Sequence, residues 1–237
     1  MNRIKKHIIY LFLIFFYANC FAQNRISADI TVQQLFSNKL LTLHKSIFYT
    51  KDGKCITRNI EPEEVITISN HLGEYFAYNT QRNELIYDVG QGYSTKNEPL
   101  DVFASAERSD LGLSSLGFSL QGQEIEGKRV IKTFIPKEVE KISKVTMVYE
   151  NDLPIYCGYY NKKGEEFRQI YYTEYIYFPL FAFPTKITEI SLSEKKEKTI
   201  RRLTYSNILY DENATSEYFD YQIPSNAKVV KMEVPKK

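Results

Sequence analysis

Cysteine is scarce in this chain of 237 residues, which contains three, and one of these, Cys20, falls in an apolar N-terminal leader. The remaining pair, Cys55 and Cys157, is too few for the disulfide framework of a small secreted scaffold. One bridge between them is possible in principle. Because both lie in strand-like runs, where cysteine usually behaves as a small buried hydrophobe, two buried thiols are expected instead.

Histidine is equally scarce, which limits both metal binding and acid–base catalysis. Beyond the leader only His44 and His71 remain, without a neighbouring cysteine or second histidine, so a zinc site is not expected. His71 lies in a hairpin turn and is predicted to be solvated. The pattern Gly112–Gly117 has one residue too many for a nucleophile elbow. The sequence therefore predicts no catalytic residue, no metal and no cofactor, and the chain is interpreted as a non-enzyme.

A long apolar run is also missing, except for a short one near the N terminus. Three basic residues precede an apolar stretch from Ile8 to Tyr17, and Ala22 supplies the small residue that a cleavage site needs. This order is typical of a secretory signal peptide, predicted as residues 1–22. A run of about ten residues is roughly half of what spans a bilayer. We therefore expect export without a transmembrane anchor.

The end of the leader allows two mature forms. Cleavage after Ala22 would give a soluble chain that begins at Gln23, whereas lipid attachment at Cys20 would give an anchored one. Asn19 stands where a lipidation site usually has glycine, alanine or serine. The soluble form is therefore preferred.

Charge of one sign does not dominate the mature chain. The whole sequence has 31 basic and 29 acidic residues, and the leader holds three of the basic ones, Arg3, Lys5 and Lys6, with no acidic residue. The rest is close to neutral, with both signs interspersed. Nucleic acid is therefore not an expected partner, because backbone binding needs clustered basic residues.

The apolar pattern predicts a protein made mainly of strands. Val32, Leu35, Phe36, Leu40 and Leu43 recur at helical spacing behind Asp29, which predicts a helix over 29–39. One or two short helices are predicted between 99 and 116. Strands are predicted over 41–49, 55–60, 65–69, 74–78, 84–89, 118–121, 125–135, 144–149, 154–160, 167–175, 185–192 and 199–209.

Short polar turns join these strands, so consecutive strands should pair antiparallel. A sheet of about a dozen strands curls because of its twist. The expected fold is mainly β (α+β): one large curved antiparallel sheet in an incomplete barrel, within a single domain over 23–237. The short helices are expected to cover the concave face, because an apolar helix stripe must be buried.

Aromatic residues are abundant, with 19 tyrosines and 15 phenylalanines but no tryptophan. Many fall between Tyr156 and Phe183. They could form the wall of a pocket for an apolar ligand, but sheets favour aromatic residues in any case, so ordinary core is the preferred interpretation.

Two segments resemble a known family. The stretch 59–79 contains a strand, the acidic turn Glu61-Pro62-Glu63-Glu64, an apolar strand, a short turn and Phe76-Ala77-Tyr78-Asn79. In this order it resembles the LolA/LolB-type lipoprotein carriers of Gram-negative bacteria. The closing segment 219–230 is similar to the family's final strand. One departure is Thr50-Lys51-Asp52, where carriers often have an arginine that fastens a lid, so that role is not transferred to Lys51.

The resemblance implies a periplasmic carrier with an apolar cavity for the acyl chains of lipoproteins in transit to the outer membrane. Its partners would be apolar lipids, an inner-membrane release protein and an outer-membrane acceptor, and the chain is expected to be a monomer. An alternative is a structural, interaction or sensor module of the envelope, with a filled concave face. The residues expected to line the cavity or its lid are Val102, Phe103, Leu111, Leu113, Leu116, Phe76, Tyr78, Ile66 and Ile68.

Overall fold

A computed structural model describes residues 25–37, 39–105, 109–138 and 141–230. The predicted signal peptide, with Cys20 and the cleavage site, lies outside these residues. The strands are β1 (Arg25–Phe36), β2 (Lys39–Thr50), β3 (Cys55–Asn59), β4 (Val65–Ser69), β5 (Glu74–Asn79), β6 (Glu84–Val89), β7 (Phe118–Glu126), β8 (Arg129–Pro136), β9 (Ile142–Glu150), β10 (Leu153–Asn161), β11 (Glu166–Tyr177), β12 (Ala182–Leu192), β13 (Lys198–Tyr210) and β14 (Lys228–Val229).

These fourteen strands form one sheet in the order β14-β6-β5-β4-β3-β2-β1-β13-β12-β11-β10-β9-β8-β7. Every neighbouring pair is antiparallel except β14, which pairs parallel with β6. The sheet is not closed into a barrel, since β7 and β14 stand at its two ends within the described residues. The predicted mainly β architecture with one large antiparallel sheet is confirmed.

The predicted helix over 29–39 is wrong, because residues 29–36 belong to β1 and residue 39 begins β2. β1 lies in the middle of the sheet, where Ile30 faces Lys45 of β2 on one side and Tyr205 of β13 on the other. Ile26, Ala28, Ile30 and Val32 are all buried. Their spacing of two residues is that of a strand with one buried face, and pairing on both sides overrides the helical spacing further along.

The strand predicted over 125–135 is in fact the end of β7, a tight turn and β8. Ile125 pairs with Val130, and Gly127 between them has a φ of +61°. A positive φ is easy for glycine, which has no Cβ, so a single glycine turns the chain here.

In its described residues, the segment between β6 and β7 contains one α-helix, α1 (Pro99–Ala104), preceded by two short 3-10 turns. Pro99 stands in the first turn of α1, where its fixed φ and missing N–H are tolerated. After Ser109 the described chain is mainly turns, in which the Asp110 carboxylate accepts from the backbone N–H groups of Gly112 and Ser114. No helix among the described residues is long and apolar enough to cross a membrane.

Two clusters of buried side chains lie on opposite faces of the sheet. Ile47 and Tyr49 of β2 belong to the larger cluster, whereas Phe48 between them belongs to the smaller one. The smaller cluster also takes up Phe219 from a 3-10 turn (Glu217–Asp220), whose carbonyl accepts from Lys54 Nζ at 2.9 Å. The closing segment 219–230 thus begins as a turn that covers this second face and becomes a strand only at β14.

Candidate ligand-binding cavity

A cavity of about 430 Å³ lies between α1, the loop that follows it and one face of the sheet. From the sheet side its apolar and aromatic wall is formed by Ile30, Ile170, Tyr172, Ile187, Leu203 and Tyr205. From the other side it is lined by Pro99, Val102, Phe103, Leu111 and Leu116. These sheet residues come from β1, β11, β12 and β13, which are neighbours in the sheet.

Phe103 holds α1 against this face through aromatic contacts. Its ring centroid lies 5.6 Å from that of Tyr172 and 5.7 Å from that of Phe183, in edge-to-face arrangements. Such pairs contribute about 0.5–1.5 kcal/mol beyond the area they bury. Leu100 is fully buried and Phe103 is 2% exposed, so the apolar side of this short helix is part of the larger cluster.

Four of the residues predicted for the cavity or its lid do line it, namely Val102, Phe103, Leu111 and Leu116. Leu113, also predicted, is buried beside them in the larger cluster.

The other four predicted residues lie on the opposite face of the sheet. Ile66 and Ile68 pack with the smaller cluster. Cross-strand pairing places Phe76 beside Ile68 and Tyr78 beside Ile66, and directly opposed residues share a face. Phe76 packs against Tyr87 with the two rings tilted by 34°, and the Tyr78 hydroxyl donates to Asn83 Oδ1 at 2.9 Å. The cavity and this group are therefore separated by the sheet.

Charged side chains also line the cavity, and the sequence interpretation did not include them. They are Lys45, Glu98, Arg168, Glu189 and Arg201. Arg168 Nε lies 2.7 Å from Glu189 Oε1, and its guanidinium carbon lies 5.1 Å from the centre of the Tyr159 ring. Burial raises the pKa of Glu98, against the charges of Lys45 and Arg201, which act to lower it.

The alternation of side chains along strands could have predicted three of these residues, Lys45, Arg168 and Arg201. Lys45, Ile47 and Tyr49 occupy alternate positions of β2, and the last two are buried. Arg168 stands in the same relation to Ile170 and Tyr172 on β11, and Arg201 to Leu203 and Tyr205 on β13. Since alternate residues of a strand point to one side, each charge shares a face with the residues that form the cavity wall.

A buried carboxylate fastens α1 to the hairpins beside it. The Tyr49 hydroxyl donates to Asp101 Oδ1, and His71 Nε2 lies 3.2 Å from the same carboxylate. Burial, followed by the contact with Asp101, raises the pKa of Tyr49. His71 is about one third exposed, so it is not the fully solvated turn residue that its position predicts.

The chain just before α1 is hydrogen-bonded to the turns of the same two hairpins. Thr95 Oγ1 donates to the carbonyl of Gly53 at 2.7 Å, and Ser94 Oγ donates to the carbonyl of His71 at 2.9 Å. The start of α1 is therefore tied to the β2–β3 and β4–β5 turns.

Replacing Asp101 with alanine is expected to lower the free energy of unfolding by about 2 kcal/mol, because it leaves the buried Tyr49 hydroxyl without its acceptor. Urea unfolding followed by circular dichroism measures this loss. Glu124→Ala, which removes an exposed carboxylate from β7, should change the value by less than about 0.5 kcal/mol. Equal effects of the two substitutions would contradict the fastening role of Asp101.

The two cysteines of the described residues are free and buried, which confirms the preferred interpretation of two thiols. Burial raises the pKa of both, that of Cys157 to about 12. Neither is therefore a reactive thiolate near neutral pH. Within the described ranges no group of three or more histidine, cysteine, aspartate or glutamate side chains is placed to hold a metal ion.

Comparison with known proteins gives similarity in structure but not in sequence. No protein-family model matches the chain, and no curated protein matches it either. A DUF1329 family protein from Desulfovibrio piger is similar in structure with a TM-score of 0.54 and 17% identity, over 87% of this chain and 93% of that one.

Two further solved structures connect the fold to the resemblance in the sequence. A LolA superfamily protein from Nitrosomonas europaea has a TM-score of 0.52 and 12% identity, over 79% of this chain and 86% of that one. An outer-membrane lipoprotein-sorting protein domain from Vibrio parahaemolyticus, described as putative, has a TM-score of 0.53 and 10% identity, over 88% and 94%. The chain therefore has the fold of LolA superfamily proteins and of outer-membrane lipoprotein-sorting domains.

Proposed function

We propose that this chain is an exported, periplasmic carrier that binds acyl chains non-covalently in the cavity beneath α1. The observation that carries the proposal is the cavity itself, with apolar side chains from four strands on one side and from α1 and its loop on the other. Its volume of about 430 Å³ falls within the range of about 300–1,000 Å³ that is usual for small-molecule sites.

The energetics of such binding need no covalent step. Burying a CH₂ group contributes about 0.8 kcal/mol, so an acyl chain of about fourteen carbons would contribute on the order of 10 kcal/mol before ordering costs. We therefore propose a non-enzymatic role, carried out by a monomer whose single domain spans 23–237.

In this proposal α1 and the loop after it form a movable cover over the concave face. Val102, Phe103, Leu111 and Leu116 would contact the bound chain, and Leu113 would anchor the loop in the core beside it. The lipoprotein-sorting description of the Vibrio parahaemolyticus domain supports lipoproteins as the cargo, handed from an inner-membrane release protein to an outer-membrane acceptor.

A fatty-acid binding assay tests the carrier proposal. Delipidated protein should bind a fluorescent fatty acid with saturable, one-to-one stoichiometry, and protein isolated from its own envelope should release lipid on extraction, as mass spectrometry would show. Neither signal should come from protein unfolded in urea. A folded, delipidated chain that binds no fatty acid would refute the proposal.

A second candidate is a protein-interaction module of the envelope. The end of the β1–β2 hairpin favours it, because apolar side chains are exposed there on both faces of the hairpin, among them Phe36 (47%), Leu40 (63%) and Leu41 (54%). A contiguous exposed apolar patch is typical of an interaction surface. The fatty-acid assay separates the two, since an interaction module with a filled concave face would not take up the probe.

A further inference from the structure

The cavity contains polar groups that the described residues leave without a hydrogen-bond or ion-pair partner. The Tyr205 hydroxyl is fully buried and has no hydrogen-bond partner in the part of the chain that the structure describes. Lys45 and Arg201, which also line the cavity, make no ion pair with any residue of those ranges. A buried donor without an acceptor costs about 1–3 kcal/mol, so Tyr205 in particular calls for an explanation.

Strand register places these three groups on one face. Lys45 and Tyr205 both face Ile30, from the two sides of β1, which puts their Cα atoms roughly 10 Å apart. Arg201 lies on the same strand as Tyr205 and on the same side, four residues earlier. All three are potential hydrogen-bond donors, and two of them are cations.

The charge of the lining is positive on balance. Three cations, Lys45, Arg168 and Arg201, stand against two carboxylates, Glu98 and Glu189. Arg168 and Glu189 are paired at 2.7 Å. The remaining carboxylate, Glu98, is the one close enough to feel both Lys45 and Arg201.

We propose that the cavity takes a single-chain amphiphile whose anionic headgroup, a carboxylate or a phosphate, binds to Lys45, Arg201 and the Tyr205 hydroxyl. This inference rests on the proposed function and names the ligand class for the same cavity. The acyl chain of the amphiphile packs against Val102 and Phe103, and the headgroup accepts from a hydroxyl that has no hydrogen-bond partner, and from two cations that have no ion-pair partner, among the described residues. Glu98 stands next to the bound anion, and because burial raises the pKa of its carboxyl group, it takes up a proton readily there and then donates as well.

Calorimetric titration with laurate, lauryl phosphate and lauryl alcohol tests the headgroup site, because the three share one chain and differ in charge. The full-length mature protein should bind the two anions at least about tenfold more tightly than the alcohol, since hydrogen bonds to charged groups are the stronger ones. Tyr205→Phe and Arg201→Gln should each weaken laurate binding by about tenfold and leave binding of the alcohol unchanged.

Two controls separate the site from general effects on folding. Arg202→Gln changes the neighbouring residue on β13, whose side chain points to the other face and donates to Thr188 Oγ1 at 3.4 Å, so laurate affinity should not change. Tyr205→Phe removes only a hydroxyl without a partner, so urea unfolding should show no loss of stability.

The remaining outcomes would overturn the inference in distinct ways. Equal affinity for laurate and lauryl alcohol would refute the headgroup site and leave the carrier function standing. Failure of all three amphiphiles to bind would refute both. If acetate or inorganic phosphate alone competes with laurate, at the concentrations at which laurate binds, the site binds small anions and the amphiphile proposal is refuted.

Discussion

Leu203→Trp is expected to abolish binding of a fluorescent fatty acid, lowering the affinity by about a hundredfold or more. Leu203 lies on the cavity wall between Tyr205 and Arg201, so an indole ring there would occupy the space that the acyl chain needs. A hundredfold loss corresponds to roughly three to four CH₂ groups excluded from the apolar site. Fluorescence titration of the delipidated variant measures the change.

A matched control on the same strand distinguishes filling of the cavity from damage to the sheet. Ile200 lies three residues earlier on β13 and lines a shallow depression with Leu35, on the other face. Ile200→Trp adds the same ring to the same strand and should leave fatty-acid affinity within about twofold of the parent. If both variants bind the fatty acid equally well, the acyl chain does not bind in this cavity.

The strands from β2 to β6 could be predicted from the sequence because the signals are local. Each is bounded by turn residues, such as Asp52-Gly53 and Asn70-His71-Leu72-Gly73. Within each strand, successive side chains point to alternate faces of the sheet. β1 could not be predicted from the sequence, because the end of the β1–β2 hairpin carries exposed apolar side chains on both faces. Leu35 and Leu40 pair on one face, and Phe36 and Leu41 lie on the other. With apolar residues on both faces, the sequence loses the two-residue apolar period of a strand and resembles the apolar spacing of a helix.

The sequence does not show which of the two faces of each strand lines the cavity. Ile66 and Ile68 have the composition of a cavity wall, yet they face the smaller cluster, where the distant residues Ala214 and Phe219 cover them. Only long-range packing decides that choice, since slipping the register by one residue exchanges the two faces. The residues of α1 could be assigned to the cavity because a short apolar helix must bury its apolar side against the sheet.

Phe103 packs α1 against the sheet, because its ring lies close to those of Tyr172, Tyr175 and Phe183 on β11 and β12. Phe103→Ala is expected to lower the free energy of unfolding by about 3 kcal/mol, the usual cost of removing a buried phenyl group from a packed core. Urea unfolding measures that loss, and hydrogen exchange should show faster opening at 99–105 than in the parent.

Phe76→Ala provides the comparison, since Phe76 is a half-buried phenylalanine on the opposite face, packed against Tyr87. It should cost about 1 kcal/mol and leave exchange at 99–105 unchanged, because the sheet lies between Phe76 and α1. With Phe103→Ala the cover should open more often and fatty-acid exchange should become faster, even where affinity falls only modestly. A Phe103→Ala variant that loses stability globally but keeps the parent's exchange rates at 99–105 would show that α1 is a fixed part of the core. The proposed carrier would then need another entrance to its cavity.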